Sequence, residues 1–140
     1  MTMPATPTAH IVDSGVLLAL CDSEDRRHPV VRQAVEEHLA AGGTLVVPVT
    51  CLSQVLVGAF RTTPYAVRTV EGFVDELVDR VWSVDRAVGR AAAQVRTVYP
   101  RLPLGDALVL ATAQVAGVPR ILTTAPYLTG LDPRILVLGD

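Results

Sequence analysis

Residues 104–124 read LGDALVLATAQVAGVPRILTT and divide into a helix and a strand. We predict a helix that starts at Leu104 or Gly105 and ends at Gly117, because glycine commonly follows the last helical residue. The apolar run 121–124 indicates a buried strand. Asp106 falls in the first turn of the predicted helix, so this buried helix–strand unit carries a carboxylate at its start.

The remainder of the chain repeats this alternation of apolar strands and amphipathic helices. Further strands are predicted over 9–13, 44–47, 81–84 and 135–138, and further helices over 16–20, 29–39 and 50–60 (capped by Thr50), from Pro64, and from the cap Asp85 toward Tyr99. Continuous apolar strands separated by helices are typical of parallel sheets covered on both faces. We therefore predict an α/β fold, a three-layer α/β/α sandwich with a central parallel sheet of about five strands.

Length and composition favour one folded unit. The chain has 140 residues, of which 50% are hydrophobic and 19% charged, with a mean hydropathy of +0.40. We expect a disordered N-terminal tail over residues 1–8 and a single domain over residues 9–140. No run approaches the roughly 18 uninterrupted apolar residues of a membrane-spanning helix, and no secretory leader is recognisable. These features predict a cytoplasmic protein without a membrane segment.

All twelve basic residues are arginines, and this excludes several kinds of chemistry. Without lysine, Schiff-base enzymes and Walker-A ATPases are ruled out. The net charge of −2 argues against a strongly basic nucleic-acid surface but leaves room for a local arginine patch. We interpret Cys21 and Cys51 as buried small hydrophobes, His10 as a satisfied core or edge residue, and His38 as part of the polar side of its helix.

Two aspartates are expected to meet at one edge of the sheet. Asp13 directly follows the first strand, and in parallel α/β sheets the functional crevice lies at the carboxyl ends of the strands. Paired carboxylates without a nearby lysine are suited to Mg²⁺ or Mn²⁺. Structural explanations stay open for both residues: Asp13 as a helix N-cap, and Asp106 as an acid at a helix start.

Three stretches in register resemble the PIN domain, the nuclease fold of the toxin in VapBC-type toxin–antitoxin pairs. They are IVDSGVLLAL at 11–20, LVVP at 45–48 leading into LSQVL at 52–56, and residues 104–124. The resemblance covers nearly the whole chain, from Ile11 to Leu138. It implies metal-dependent cleavage of RNA, an antitoxin protein as partner, and a homodimer.

The resemblance also implies about four acidic metal ligands, of which two are present here. Asp13 matches the first and Asp106 the third, whereas Gln54 and Ala125 stand at the second and fourth. Gly15 replaces a hydroxyl residue of the family. Since charge count sets the affinity of such sites, Mg²⁺ or Mn²⁺ binding is expected to be weak or absent, and nuclease activity weak or lost. Gln54 and Thr123 are secondary candidates for metal ligands.

Two alternatives to a depleted nuclease remain open. The first is an active ribonuclease that uses Asp13, Asp106 and a substitute carboxylate, for which Asp22 and Asp25 are candidates. The second is a non-catalytic module that binds RNA or an antitoxin. Arginines near the crevice are candidates to contact RNA phosphates, since arginine binds them bidentately, and an ordinary charged surface is the alternative explanation. These candidates are Arg26, Arg27 and Arg61.

Overall fold

The computed structural model describes residues 8–139. The strands are β1 (Ala9–Val12), β2 (Thr44–Pro48), β3 (Arg80–Trp82), β4 (Arg120–Thr123) and β5 (Ile135–Val137). The helices are α1 (Ser14–Cys21), α2 (His28–Ala40), α3 (Val49–Phe60), α4 (Pro64–Leu77), α5 (Arg86–Val98) and α6 (Leu104–Ala116), with a 3₁₀ turn over Pro126–Leu128. The predicted tail lies outside the described residues except for Thr8, whose carbonyl accepts a hydrogen bond from the Thr44 amide.

The five strands form one parallel sheet in the order β3-β2-β1-β4-β5. Ile11 at the centre of β1 is in register with Val46 on one side and Ile121 on the other. The chain leaves β1 toward β2 and β3, then returns to the opposite side of β1 as β4. The strand order therefore reverses between β1 and β4, which is where α/β sheets form their crevices.

Helices cover both faces of the sheet. Helix α1 packs against α2 and α3, and α3 packs against α4, so these helices form one layer. They connect β1, β2 and β3, and crossovers of the usual right hand place them on one face of the sheet. The connection from β3 back to β4 runs in the opposite direction, so α5 and α6 lie on the other face. This arrangement confirms the predicted three-layer α/β/α sandwich.

The core consists of the apolar side chains of the central strands and the helix faces that cover them. Ile11, Leu45 and Ile121 are fully or almost fully buried in the sheet, and Leu17 and Val88 are buried in the helical layers. Strands that are buried on both faces need apolar residues at every position, which is why they appear as continuous Val/Ile/Leu runs.

Two helix starts differ from the prediction. Helix α1 begins at Ser14, directly after β1, because Asp13 acts as its N-cap. Helix α3 begins at Val49 with Pro48 in the extended conformation at the N-cap position, so the predicted cap at Thr50 is wrong. In both places strand and helix meet without an intervening loop, which brings the residues at the strand ends close to the helix N-termini.

Candidate functional site

Asp13 is held at the carboxyl end of β1 by hydrogen bonds to both of its carboxylate oxygens. Oδ1 accepts from the Ser14 amide at 2.7 Å, and Oδ2 accepts from Thr123 Oγ1 at 2.8 Å. Asp13 is 6% exposed, and among residues 8–139 it is the one charged side chain that is buried. Burial of a carboxylate is unfavourable unless such donors compensate it, so the neighbouring residues fix Asp13 in place.

Cys51 lies beneath Asp13 and contributes a third donor. Its Sγ lies 3.6 Å from Asp13 Oδ1. Burial raises the pKa of the Cys51 thiol, and the charge of Asp13 raises it further. The thiol therefore stays protonated and donates to the carboxylate. The burial of Cys51 is as predicted from the sequence, but this contact was not predicted.

Asp106 faces the same edge from the first turn of α6. Its Oδ2 accepts a hydrogen bond of 2.6 Å from the Tyr127 hydroxyl. Burial raises the pKa of Asp106; the Tyr127 hydrogen bond lowers it, and the nearby charge of Asp13 raises it. The hydrogen bond to Asp106, more than burial, raises the pKa of Tyr127 to about 12. The structure thus brings the two predicted carboxylates within electrostatic reach of each other.

Gln54 lies beside this pair. A Cβ atom on Gly105 would be 3.3 Å from Gln54 Nε2, which places the amide against the residue before Asp106. Gln54 also lines a shallow cavity of about 210 Å³ together with Ser14 and Gly15. An exposed amide at this position offers an oxygen but no charge.

Thr123 and Thr124 close the site on the β4 side. Thr123 Oγ1 donates to Asp13 and accepts from the Ala125 amide at 3.1 Å. The Thr124 hydroxyl occupies the space where a Cβ atom on Gly15 would be built. The space beside position 15 is therefore filled by the hydroxyl of the residue that follows β4.

Additional acids are not brought to the pair. Asp22 Oδ1 accepts from the Glu24 amide, and Asp25 Oδ1 accepts from the Arg27 amide, so both carboxylates stabilise their own loop. Within residues 8–139, no group of three or more His, Cys, Asp or Glu side chains is arranged to hold a metal ion. The described residues give no support to a substitute carboxylate.

Of the three candidate arginines, Arg27 is the one whose contacts place it at this edge of the sheet. Its aliphatic stem packs against Gly139, which follows β5 by two residues. Arg61 follows the last residue of α3, about 18 Å along the helix from its start near Asp13. Arg26 is exposed in the loop between α1 and α2. The ion pairs found within residues 8–139 are Arg32–Glu36 and Arg134–Asp132, neither of which involves the two site aspartates.

Solved structures share this fold at low sequence identity. A toxin–antitoxin complex from Klebsiella pneumoniae contains a chain 21% identical, with a TM-score of 0.73 and coverage of 91% of this chain and 96% of that one. VapBC2 from Rickettsia felis, bound to a promoter DNA fragment, is 9% identical with a TM-score of 0.77, and the match covers 94% of this chain and 100% of that one. VapC20 from Mycobacterium tuberculosis, a Sarcin-Ricin loop cleaving toxin, is 18% identical with a TM-score of 0.60, and the match covers 80% of this chain and 86% of that one.

A family model supplies the assignment that these low identities do not. No curated protein matches the chain, and none of the helices within residues 8–139 has the length and apolar character needed to cross a membrane. The model of the PIN domain matches residues 10–124, which include Asp13, Gln54, Asp106 and Thr123. The chain belongs to the PIN domain family.

Proposed function

We propose that this PIN domain is a VapC-like protein with a metal-dependent ribonuclease site, and that its RNA cleavage is weak or lost. The observation that carries the proposal is the pair Asp13 and Asp106 at the strand-order reversal, with uncharged Gln54 and Ala125 where the family resemblance places further acids. Asp13 and Asp106 are the proposed catalytic residues. The proposed domain extends over residues 9–140.

The ligand atoms are of the type that binds a divalent cation, but the site has only two carboxylates. Carboxylate oxygens suit Mg²⁺ or Mn²⁺, and Mg²⁺ is commonly held by one or two carboxylates with water completing its coordination. Asp13 and Asp106 would hold the cation, and the Gln54 amide oxygen is a neutral addition. Thr123 acts on Asp13 instead of on a cation, because its hydroxyl already donates to Asp13 and accepts from the Ala125 amide.

The chain's own residues prepare this site in two different ways. Asp13 accepts hydrogen bonds from Thr123, Ser14 and Cys51, so its carboxylate is held in place before a cation binds. Asp106 is partly exposed and is held through one oxygen only. A bound divalent cation supplies an activated water and stabilises charge on the scissile phosphodiester. With two formal charges instead of four, we expect the cation to be bound weakly.

The proposed partners follow from the structural neighbours. Several of them are toxin–antitoxin complexes, which supports an antitoxin protein as partner. From the family resemblance we further propose RNA as substrate and a homodimer as the assembly, and from the sequence a cytoplasmic location. Arg27, at the same edge as the aspartates, is the best placed of the three arginines to contact an RNA phosphate. Arg26 and Arg61 are weaker candidates.

The proposal is tested by measuring cleavage of a mixed-sequence fluorogenic RNA with Mg²⁺ or Mn²⁺. Wild type and the Asp13→Asn/Asp106→Asn variant are purified identically. We expect wild-type cleavage to exceed the variant's background by no more than a few-fold. Strong cleavage that Asp106→Asn abolishes would overturn the proposed loss and establish an active ribonuclease. RNA binding without cleavage would instead support the non-catalytic module.

A further inference from the structure

The 3₁₀ turn after β4 presents a tyrosine to the candidate metal site. Tyr127 lies two residues after Ala125, and its hydroxyl donates to Asp106 Oδ2 at 2.6 Å. This distance is typical of a strong hydrogen bond to an ionised carboxylate. The segment after β4 has no acid at position 125, but it contacts the site through the Tyr127 hydroxyl.

The backbone of this turn is fixed independently of the tyrosine ring. Leu128 is buried in the core. The Leu128 amide donates to the Ala125 carbonyl at 3.2 Å, and Thr129 donates to the Pro126 carbonyl through both its amide and its hydroxyl. The Tyr127 side chain itself is 65% exposed. Because the backbone of the turn is fixed, the ring extends from a defined position and its hydroxyl reaches Asp106 from there.

The two aspartates differ in how many of their oxygens the protein occupies. Both oxygens of Asp13 accept hydrogen bonds, whereas Asp106 accepts one from Tyr127 at Oδ2. Among the described residues, none donates a hydrogen bond to Asp106 Oδ1. Tyr127 therefore restrains the rotation of the carboxylate and leaves Oδ1 as the oxygen available to a ligand.

We propose that Tyr127 is a positioning residue for divalent-cation binding at Asp106. The inference rests on the proposed function, since it assigns a role within the same site. Hydrogen bonds to ligating carboxylates orient them, and loss of such a bond typically lowers metal affinity by about 10–100-fold. With few charged ligands present, the fixed orientation of Asp106 contributes a larger share of the remaining affinity.

The test measures Mn²⁺ binding by isothermal titration calorimetry in the absence of RNA. Tyr127→Phe removes the hydroxyl and keeps the ring. We expect it to raise the Mn²⁺ dissociation constant at least tenfold while leaving the unfolding midpoint of the metal-free protein within error of wild type. Tyr65→Phe, at a tyrosine that is 72% exposed at the start of α4, is the matched control and should bind Mn²⁺ like wild type.

The outcomes separate this inference from the proposed function. The positioning role is supported if wild type binds Mn²⁺ more tightly than Asp13→Asn/Asp106→Asn does and Tyr127→Phe binds it more weakly than wild type. Wild-type affinity that is unchanged or increased in Tyr127→Phe overturns the positioning role and leaves the metal site intact. Wild-type binding equal to that of the double variant overturns the positioning role and the proposed metal site, but it is consistent with the proposed loss of RNA cleavage.

Discussion

Asp13 is a buried carboxylate that three elements of the fold hold in place. It caps α1, and it also accepts hydrogen bonds from Thr123 on β4 and Cys51 on α3. The donors from β4 and α3 compensate the burial of its charge. The N-cap explanation, which the sequence left open, is confirmed, and the role of Asp13 in a metal site stays a prediction.

Restoring the missing acids should strengthen cation binding. We expect Gln54→Glu combined with Ala125→Asp to lower the Mn²⁺ dissociation constant at least tenfold, because each added carboxylate brings a charged oxygen ligand to the pair. Calorimetric titration with Mn²⁺ measures the change directly.

The matched control adds the same two charges elsewhere. Gln94→Glu with Gln114→Glu places acids at exposed positions on α5 and α6, and it should leave Mn²⁺ affinity near that of wild type. If the site variant gains no more affinity than this control, positions 54 and 125 do not correspond to the family's acids.

At the scale of elements, the close approach of α1 to β4 depends on a glycine. The Thr124 hydroxyl occupies the space beside Gly15. We expect Gly15→Ala to lower the free energy of unfolding by about 1–3 kcal/mol, the usual effect of overpacking. Gly89→Ala is the control, since a Cβ there meets no atom within 4 Å, and it should raise stability by about 0.5–1 kcal/mol.

Urea denaturation of Gly15→Ala and Gly89→Ala measures whether the free energy of unfolding falls in the first variant and rises in the second. A destabilisation of the same size in both would indicate a general intolerance of the helices to substitution. Stabilisation by Gly15→Ala would show that the Thr124 side chain moves away from α1 without loss.

The elements that the sequence predicted well are those determined by local pattern. The five strands and the long helices follow from apolar runs and helical spacing, and the pairing of Asp13 with Asp106 follows from the topology of parallel sheets. Thr50 was misassigned as a cap because Pro48 already ends β2 in a conformation from which the helix can start. The roles of Cys51 and Tyr127 depend on contacts 38 and 21 residues apart in the chain, which no local pattern contains.

At the scale of the whole molecule, the amino-terminal end of the parallel strands, opposite the candidate site, contains an unusual pair of histidines. The rings of His10 on β1 and His38 on α2 stack with centroids 3.6 Å apart. His38 bonds to the Thr44 carbonyl, whereas His10 Nδ1 is buried without a hydrogen-bond partner among the described residues. His10 is therefore not the satisfied residue that the sequence suggested, and His38 packs against the sheet instead of lying on a purely polar face.

This pair predicts a loss of stability in mild acid. Burial, and then the charges of His38 and Arg120, lower the pKa of His10 from 6.5 to about 4. Between these pH values the unfolded chain binds a proton at His10 that the folded protein excludes, so the free energy of unfolding falls as the pH drops from 6.5 toward 4. Because at most one proton is exchanged at His10, the slope should not exceed about 1.4 kcal/mol per pH unit. Solvent partly screens the ring, which makes the total loss smaller.

Urea unfolding of wild type and His10→Leu across this pH range tests the prediction. Leucine removes a ring nitrogen that has no partner, and the difference between the two proteins isolates His10 from other titrating groups such as Asp106. The wild-type curve should be the steeper of the two. Parallel curves would show that His10 titrates normally in the folded protein.

The hydrogen bond between Thr123 and Asp13 joins residues 110 positions apart. During synthesis the amino-terminal strand leaves the ribosome long before β4 is translated, and domains complete their folding only when such distant segments can meet. Any activity that depends on a fixed Asp13 is thus absent from the nascent chain until its last strands emerge.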